Sequence, residues 1–539
     1  MEPSLPSVET LVLAVLVAAV SVLALGLLTN SSMLTHPHAL GTRPRPDLFG
    51  GSRELPLLGS LIDSLRDMGR APEGESGVVK RFVERREVGQ TGKSMSFTLP
   101  GMGRFVVLER PEHLEHVQRS RFDNYEKGEA QRTTMGQIFG GGIFVSDGAR
   151  WQVHRKTSAK LFTNSTYRGI ISTSTHRSTA QLLDAIDHLS TQRGEVDLSR
   201  LFFSLTLDAF CFMAFSTDPG ALLAAEAGQL NPFAVALDYA QTQTQKRFQN
   251  RYWRITERLT GAAAKMRTNM STVHAFADAI IDARVAQLEG KRAECKESAG
   301  RDDDKDDLLA LYMRARGSDG EKLTKAQLRD AVINLLLAGR DTTASALSWA
   351  VFRILSHPKL VTRIRFEADS LADPTKLPFD QLKDMSWTRA VLEETVRLHP
   401  AVPNNSWTAL GDDQIPNGPR IEKGDHVAWC DFLQARDPAI WGDDAGAFRP
   451  ERWLDDEGKF KMDSRLHAFN GEMLATFESV AVLLALFSSF DLAFAPDYLA
   501  TTPMIQTPLC AEPTPQYRHS LTMPMAQPLR VVATRRVES

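Results

Sequence analysis

Apolar residues Ala331, Val332, Leu335, Leu336, Ala338 and Leu347 recur at the spacing of one helical face, and the pattern continues through Trp349, Phe352 and Leu355. Thr324 with Gln327 three residues on forms a capping-box signature at its start, and His357-Pro358 stops it. About thirty residues of helix span roughly 50 Å, enough to cross a whole domain. Earlier, Ser94 to Leu99 and Phe105 to Leu108 read as strands separated by turn glycines. From Trp151 to about Val285 the periodicity is mainly helical, with Leu201 to Phe215 apolar enough for a buried helix. Beyond the long helix come a helix over Trp387–Leu398, ended by His399-Pro400, a short strand at His426–Trp429, and a last helix over Met473–Phe487. Residues 291–307 are charged and aperiodic, which predicts a solvated loop exposing Cys295.

Leu11 to Leu28 carries no charge and is long enough to span a bilayer; a cleaved signal peptide is the alternative. Glu2 and Glu9 precede it and Arg43 and Arg45 follow, which favours a signal anchor with the body of the protein in the cytosol. Pro44, Pro46 and Pro56 make the next stretch a stiff spacer. The expected organisation is an anchor at 1–30, a proline-rich spacer at 31–60 and a single domain at 61–539.

The chain has 539 residues, 24% charged and 42% hydrophobic, which suits a globular protein with a large core. A net charge of −3 gives no basis for binding nucleic acid. Cys211, Cys295, Cys430 and Cys510 include no CxxC pair, so neither a disulfide framework nor a zinc site is expected.

A helix built only for packing would not choose Ala338-Gly339-Arg340-Asp341-Thr342-Thr343 at its middle. Thr342 lies one turn beyond Ala338 and Gly339, so its hydroxyl can bond back to a carbonyl there and bend the helix, with the two small residues leaving room. Asp341 adds a carboxyl one position away, and the pair suits passing protons to a bound small molecule. A kinked core helix with a partly exposed Asp is the other reading of the same residues.

Four motifs in order carry a resemblance: Trp151-Gln-Val-His-Arg155, Ala338 to Thr343, Glu394 with Arg397, and Phe448-Arg-Pro-Glu-Arg-Trp453. Together they resemble the cytochrome P450 haem-thiolate monooxygenases, and the anchor with its spacer is similar to the microsomal branch. The resemblance implies a mainly α fold with a small β-rich region, haem b, electrons from NADPH through a membrane-anchored cytochrome P450 reductase, dioxygen, a hydrophobic substrate, and an endoplasmic-reticulum membrane location. By residue, it implies that Trp151 and Arg155 face a haem propionate, a helix-surface cation–π pair being the alternative. It implies that Ala338 and Gly339 line the ring, that Glu394, Arg397 and Arg452 form a buried ion triad, and that Asp341 and Thr342 are the acid and alcohol that deliver protons. Phe122 to Gly128, Gly142-Ile-Phe144 with Asp147-Gly148, and Phe248 to Tyr252 look like the fatty-acid and alkane hydroxylating branch.

One departure stands out. The family's axial cysteine sits in Phe-x-x-Gly-x-Arg-x-Cys-x-Gly, followed by a helix carrying Ala-x-x-Glu. Here Phe469-Asn470-Gly471 begins that loop and Ala475 to Glu478 matches the helix, but Phe469 and Glu478 are nine positions apart instead of sixteen. Seven residues, the cysteine among them, are absent between Gly471 and Glu472, so no metal ligand is assigned. Three explanations stay open: a misplaced exon edge, a haem-free membrane-anchored lipid-binding pseudoenzyme, or another ligand, with His467 nearest in sequence.

Overall fold

The computed structural model describes residues 94–99, 103–160, 162–250, 252–295, 307–317, 319–466, 472–505, 510–518 and 520–536, with the isolated positions 21, 45 and 48. Most of the N-terminal anchor, most of the spacer, and His467 to Gly471 with Phe469 lie outside the described residues.

Strands β1 (Met95–Leu99) and β2 (Gly103–Val107) pair as an antiparallel hairpin. Gly103 sits at φ +90°, a left-handed conformation that side chains disfavour. The remaining strands of this sheet are β3 (Tyr125–Glu126), β4 (Asn404–Ala409) and β5 (His426–Cys430), giving the order β1-β2-β5-β4-β3 with β2 and β5 parallel. Residues three hundred positions apart thus form one sheet, which packs its own apolar cluster around Val106, Val427 and Trp429.

The helical body contains α1 (Gly128–Phe139), α2 (Gly148–Ala159), α3 (Ser172–Arg193), α4 (Leu198–Phe215), α5 (Pro232–Gln249), α6 (Trp253–Leu259) and α7 (Ala262–Cys295). After these come α8 (Lys325–Ser356), α9 (Lys359–Ala368), α10 (Ser386–Leu398) and α11 (Glu472–Ser489). The expected loop over 291–307 is corrected in its first part: α7 stays helical as far as Cys295, because lysine, arginine, glutamate and alanine there are good helix formers whatever their charge.

α8 is the axis of the molecule. Thr324 accepts a hydrogen bond from the Gln327 backbone N–H while the Gln327 side chain accepts one from the Thr324 N–H, so both halves of the capping box form. The helix runs 32 residues without a break and is buried almost throughout. α4, α10 and α11 pack against it. α4 is long and apolar enough to cross a membrane, but 72% of it is buried inside this fold, which makes it a core helix.

Candidate active site

The site starts from which face of α8 is left open. Between Ala331 and Ile354 every residue of the helix is buried except Ala338 and Thr342, which stand one turn apart on a single face. The Thr342 hydroxyl donates to the Ala338 carbonyl at 2.6 Å, the back-bond its position allows. From the other side the Thr206 hydroxyl of α4 donates to the Arg340 carbonyl at 2.9 Å. The result is a narrow strip of accessible surface, a small methyl beside a hydroxyl, in an otherwise sealed helix.

Gly339 does not share that strip. A side-chain carbon built on it would lie 2.0 Å from the Phe210 ring of α4, so this glycine lets two helices cross closely. Its expected place against the ring-binding face is therefore corrected to a packing position.

Asp341 is fully buried on the side away from the strip. Gln241 Nε2 donates to its Oδ2 at 2.7 Å and Arg340 Nη1 to its Oδ1 at 2.9 Å. Burial raises the carboxyl's pKa, and the adjacent Arg340 guanidinium pulls it back. Asp341 and Thr342 are sequence neighbours that point to different surroundings, which follows from the 100° turn between consecutive helical positions.

Glu394, Arg397 and Arg452 do meet. Arg397 Nε and Nη2 donate to the two carboxylate oxygens of Glu394 at 2.7 and 2.8 Å, and Arg452 Nε donates to Oε1 at 3.2 Å. Two partners were not foreseen: Trp453 Nε1 donates to Oε2 at 3.0 Å and the Arg449 backbone N–H to Oε1 at 2.8 Å. The remaining Arg397 protons reach the carbonyls of Ala435, Ala445 and Ala447. Burial disfavours the Arg397 charge, and the Glu394 carboxylate opposes that effect. With every donor and acceptor occupied, this set fixes how α10 meets the chain around residues 435–453.

Trp151 and Arg155 share one face of α2. Trp151 is half-buried between the Phe122 ring, 5.3 Å away, and the Lys127 ammonium, 5.7 Å above it, while Phe122 also contacts Trp407 edge-on. Arg155 is exposed, and among the described residues no hydrogen bond or ion pair engages it. Among the described residues, no hydrogen bond, ion pair or ring contact joins either side chain to the strip on α8. The loop before α2 does approach α8: the Gly141 N–H donates to Asp330 at 2.8 Å and the Phe144 N–H to Asn334 at 3.2 Å, with Asn334 filling the space a side chain on Gly142 would need.

A family model for cytochrome P450 matches residues 80–521 of this chain. The chain belongs to the cytochrome P450 family. A cytochrome P450 monooxygenase, cyp1, of Mycosarcoma maydis is 35% identical over 519 residues, covering 92% of this chain and 77% of its own length. Cytochrome P450 704B1 of Arabidopsis thaliana is 29% identical over 417 residues, covering 72% of this chain and 77% of its own. Cytochrome P450 94A1 of Vicia sativa is 27% identical over 391 residues, covering 71% of each chain. By family this is an oxidoreductase of the monooxygenase type.

The cytochrome P450 residues present fit a haem on one side only. A strip holding nothing larger than Ala338 and Thr342 would leave room for a flat macrocycle beside the helix. The metal ligand does not fit: a thiolate is required, and no cysteine occurs between Cys430 and Cys510. Cys211 lies within α4 with its thiol pKa driven upward by burial, and burial pushes the Cys430 thiol up to about 12. Cys510, half-buried, adjoins a residue whose N–H reaches Gly446 and lies near Arg353 and Tyr517, beyond the C-terminal half of α8. No step through iron is therefore derived for the chain as it stands.

Proposed function

We propose that this cytochrome P450 descends from, and with its seven missing residues restored would act as, a hydroxylase of long-chain fatty acids or similar aliphatic chains. Cytochrome P450 monooxygenases place one oxygen atom from O2 in a hydrophobic substrate, using haem b and electrons from NADPH delivered by a reductase. The observation that carries the reading is the retained strip on α8 at Ala338 and Thr342, kept open in a helix that is otherwise buried. Retention of Asp341 beside that strip supports it, with the Glu394–Arg397–Arg452 set kept alongside. In this reading Thr342 holds a proton donor at the pocket face, Asp341 holds an exchangeable proton behind it, and Trp151 and Arg155 meet a propionate. Residues 1–30 anchor the chain in the endoplasmic-reticulum membrane, 31–60 space it from the surface, and 61–539 form one cytosolic catalytic domain.

The seven-residue loss is a whole number of codons with both flanks in register, which supports a misplaced exon edge. Sequencing the transcript across codons 465–480 and incubating the restored protein with reductase, NADPH and long-chain fatty acids tests both parts. Extra codons encoding a cysteine and a hydroxylated product are expected; a transcript that reads as printed overturns the restoration. In that case the absent sulfur favours the second reading, a haem-free membrane-anchored lipid-binding protein, and fatty-acid binding without turnover is its signature.

A further inference from the structure

Away from the strip, α2, the first turn of α8 and the tight turn between Arg316 and Lys322 enclose a cavity of about 120 Å³. Arg150, Val153 and His154 line it from one face of α2, a different face from that of Trp151 and Arg155. The turn is closed by a strand-like bridge between Arg316 and Lys322 and by the Gly317 N–H, which donates to the Glu321 carbonyl at 2.8 Å. It contributes Asp319, and α8 contributes Gln327. Eleven residues of helix separate Gln327 from Ala338, roughly 16 Å at 1.5 Å each, so this cavity is not the strip.

The polar groups on its walls do not satisfy one another. Arg150 and Asp319 bring opposite charges to the same small space, yet they form no ion pair, and among the described residues no hydrogen bond engages Arg150. Asp330, which accepts from the Gly141 N–H, feels the Arg150 charge without bonding to it. Asp319 uses only Oδ1, which accepts from the Glu321 N–H at 3.0 Å. Gly141 makes room for the guanidinium: a side-chain carbon there would collide with Arg150 Nη2. His154, 4% exposed, donates from Nε2 to the Gly141 carbonyl at 3.2 Å, which leaves Nδ1 as an acceptor, and Nδ1 is buried with no partner. Burial lowers the pKa of this ring and keeps it neutral near pH 7. Gln327 Oε1 accepts from the N–H and the hydroxyl of Thr324, which leaves Nε2 to donate.

We propose that this cavity binds a small zwitterionic amino acid, with its carboxylate on Arg150 and Gln327 and its ammonium on Asp319 and His154. A simple anion is repelled by Asp319 and a simple cation by Arg150, whereas a molecule carrying both charges meets a partner for each. Size sets the class: a cavity of about 150 Å³ takes benzene, so one of about 120 Å³ suits a ligand of about six non-hydrogen atoms, the size of alanine. Bound there, the ligand ties α2 and the Arg316–Lys322 turn to the first turn of α8, and it stabilises the folded chain by mass action. The site needs no haem and does not rest on the monooxygenase reading.

The test is isothermal titration of the full chain without haem, with alanine as the probe and with propionate and ethylamine as controls that each lack one charge. Alanine should bind saturably and raise the thermal transition, and each control should bind at least tenfold more weakly. Arg150→Gln and Asp319→Asn alter exposed side chains that hold no ion pair. Both variants should therefore keep the transition of the unaltered chain in the absence of ligand, while each binds alanine at least tenfold more weakly. No saturable binding of alanine, binding of either control as tight as that of alanine, or unchanged alanine affinity in either variant would overturn the proposal.

Discussion

Gly339 has no side chain because Phe210 occupies the place one would take. Gly339→Ala is expected to cost about 1–3 kcal/mol from overpacking, read as a lower urea midpoint, and trimming the ring with Phe210→Leu in the same chain should recover part of it. Equal losses with and without the trimmed ring would contradict this packing role. Glu394 accepts five hydrogen bonds in a fully buried place. Glu394→Gln should therefore destabilise by about 3–5 kcal/mol by leaving the buried Arg397 guanidinium uncompensated, while Arg452 keeps its ion pair to Asp444. At this scale, spacing alone found that Thr342 could bond back one turn and that Glu394 and Arg397 share a face. It could not tell that Gly339 belongs to the opposite face, since two small neighbours in sequence look alike until the partner helix is known. Gln241 was also invisible, because nothing local to α5 announces a carboxyl a hundred residues away.

Elements were more legible than contacts. The bounds of α8 and α10 fall within a residue or two of those read from caps and prolines, because these signals are local and strong. α7 ran longer than expected since charge without periodicity describes a solvated helix as well as a loop. α11 offers a test of its own. Glu478 is buried on it with no hydrogen-bond partner among the described residues, and burial pushes its carboxyl up to about 8 from an ordinary 4.5. A raised carboxyl favours the folded state while protonated, so its contribution is complete below about pH 4.5 and is lost as pH rises through about 8. Stability should fall across that window by an amount on the order of a few kcal/mol, and Glu478→Gln should flatten the decline in urea midpoints. Parallel pH profiles for the two proteins would show that Glu478 is already hydrated.

For the whole molecule, the fold joins a sheet assembled from strands within 95–126 and 404–430 to a helical body threaded by α8, and the family match spans nearly all of it. The eighteen uncharged residues from Leu11 to Leu28 precede that match, so removing residues 1–30 should move the protein from the membrane pellet to the soluble fraction while leaving its thermal transition unchanged. The strip on α8 and the ion set beside α10 are present although no cysteine lies between Cys430 and Cys510. The most direct test of this account is the carbon monoxide difference spectrum of the reduced chain, expressed with haem supplied, as printed and with Gly-x-Arg-x-Cys-x-Gly inserted between Gly471 and Glu472. The red-shifted Soret band of a thiolate-ligated haem is expected in the inserted protein alone; that band in the unaltered chain, or its failure to appear in a folded inserted protein, would contradict the haem-binding reading.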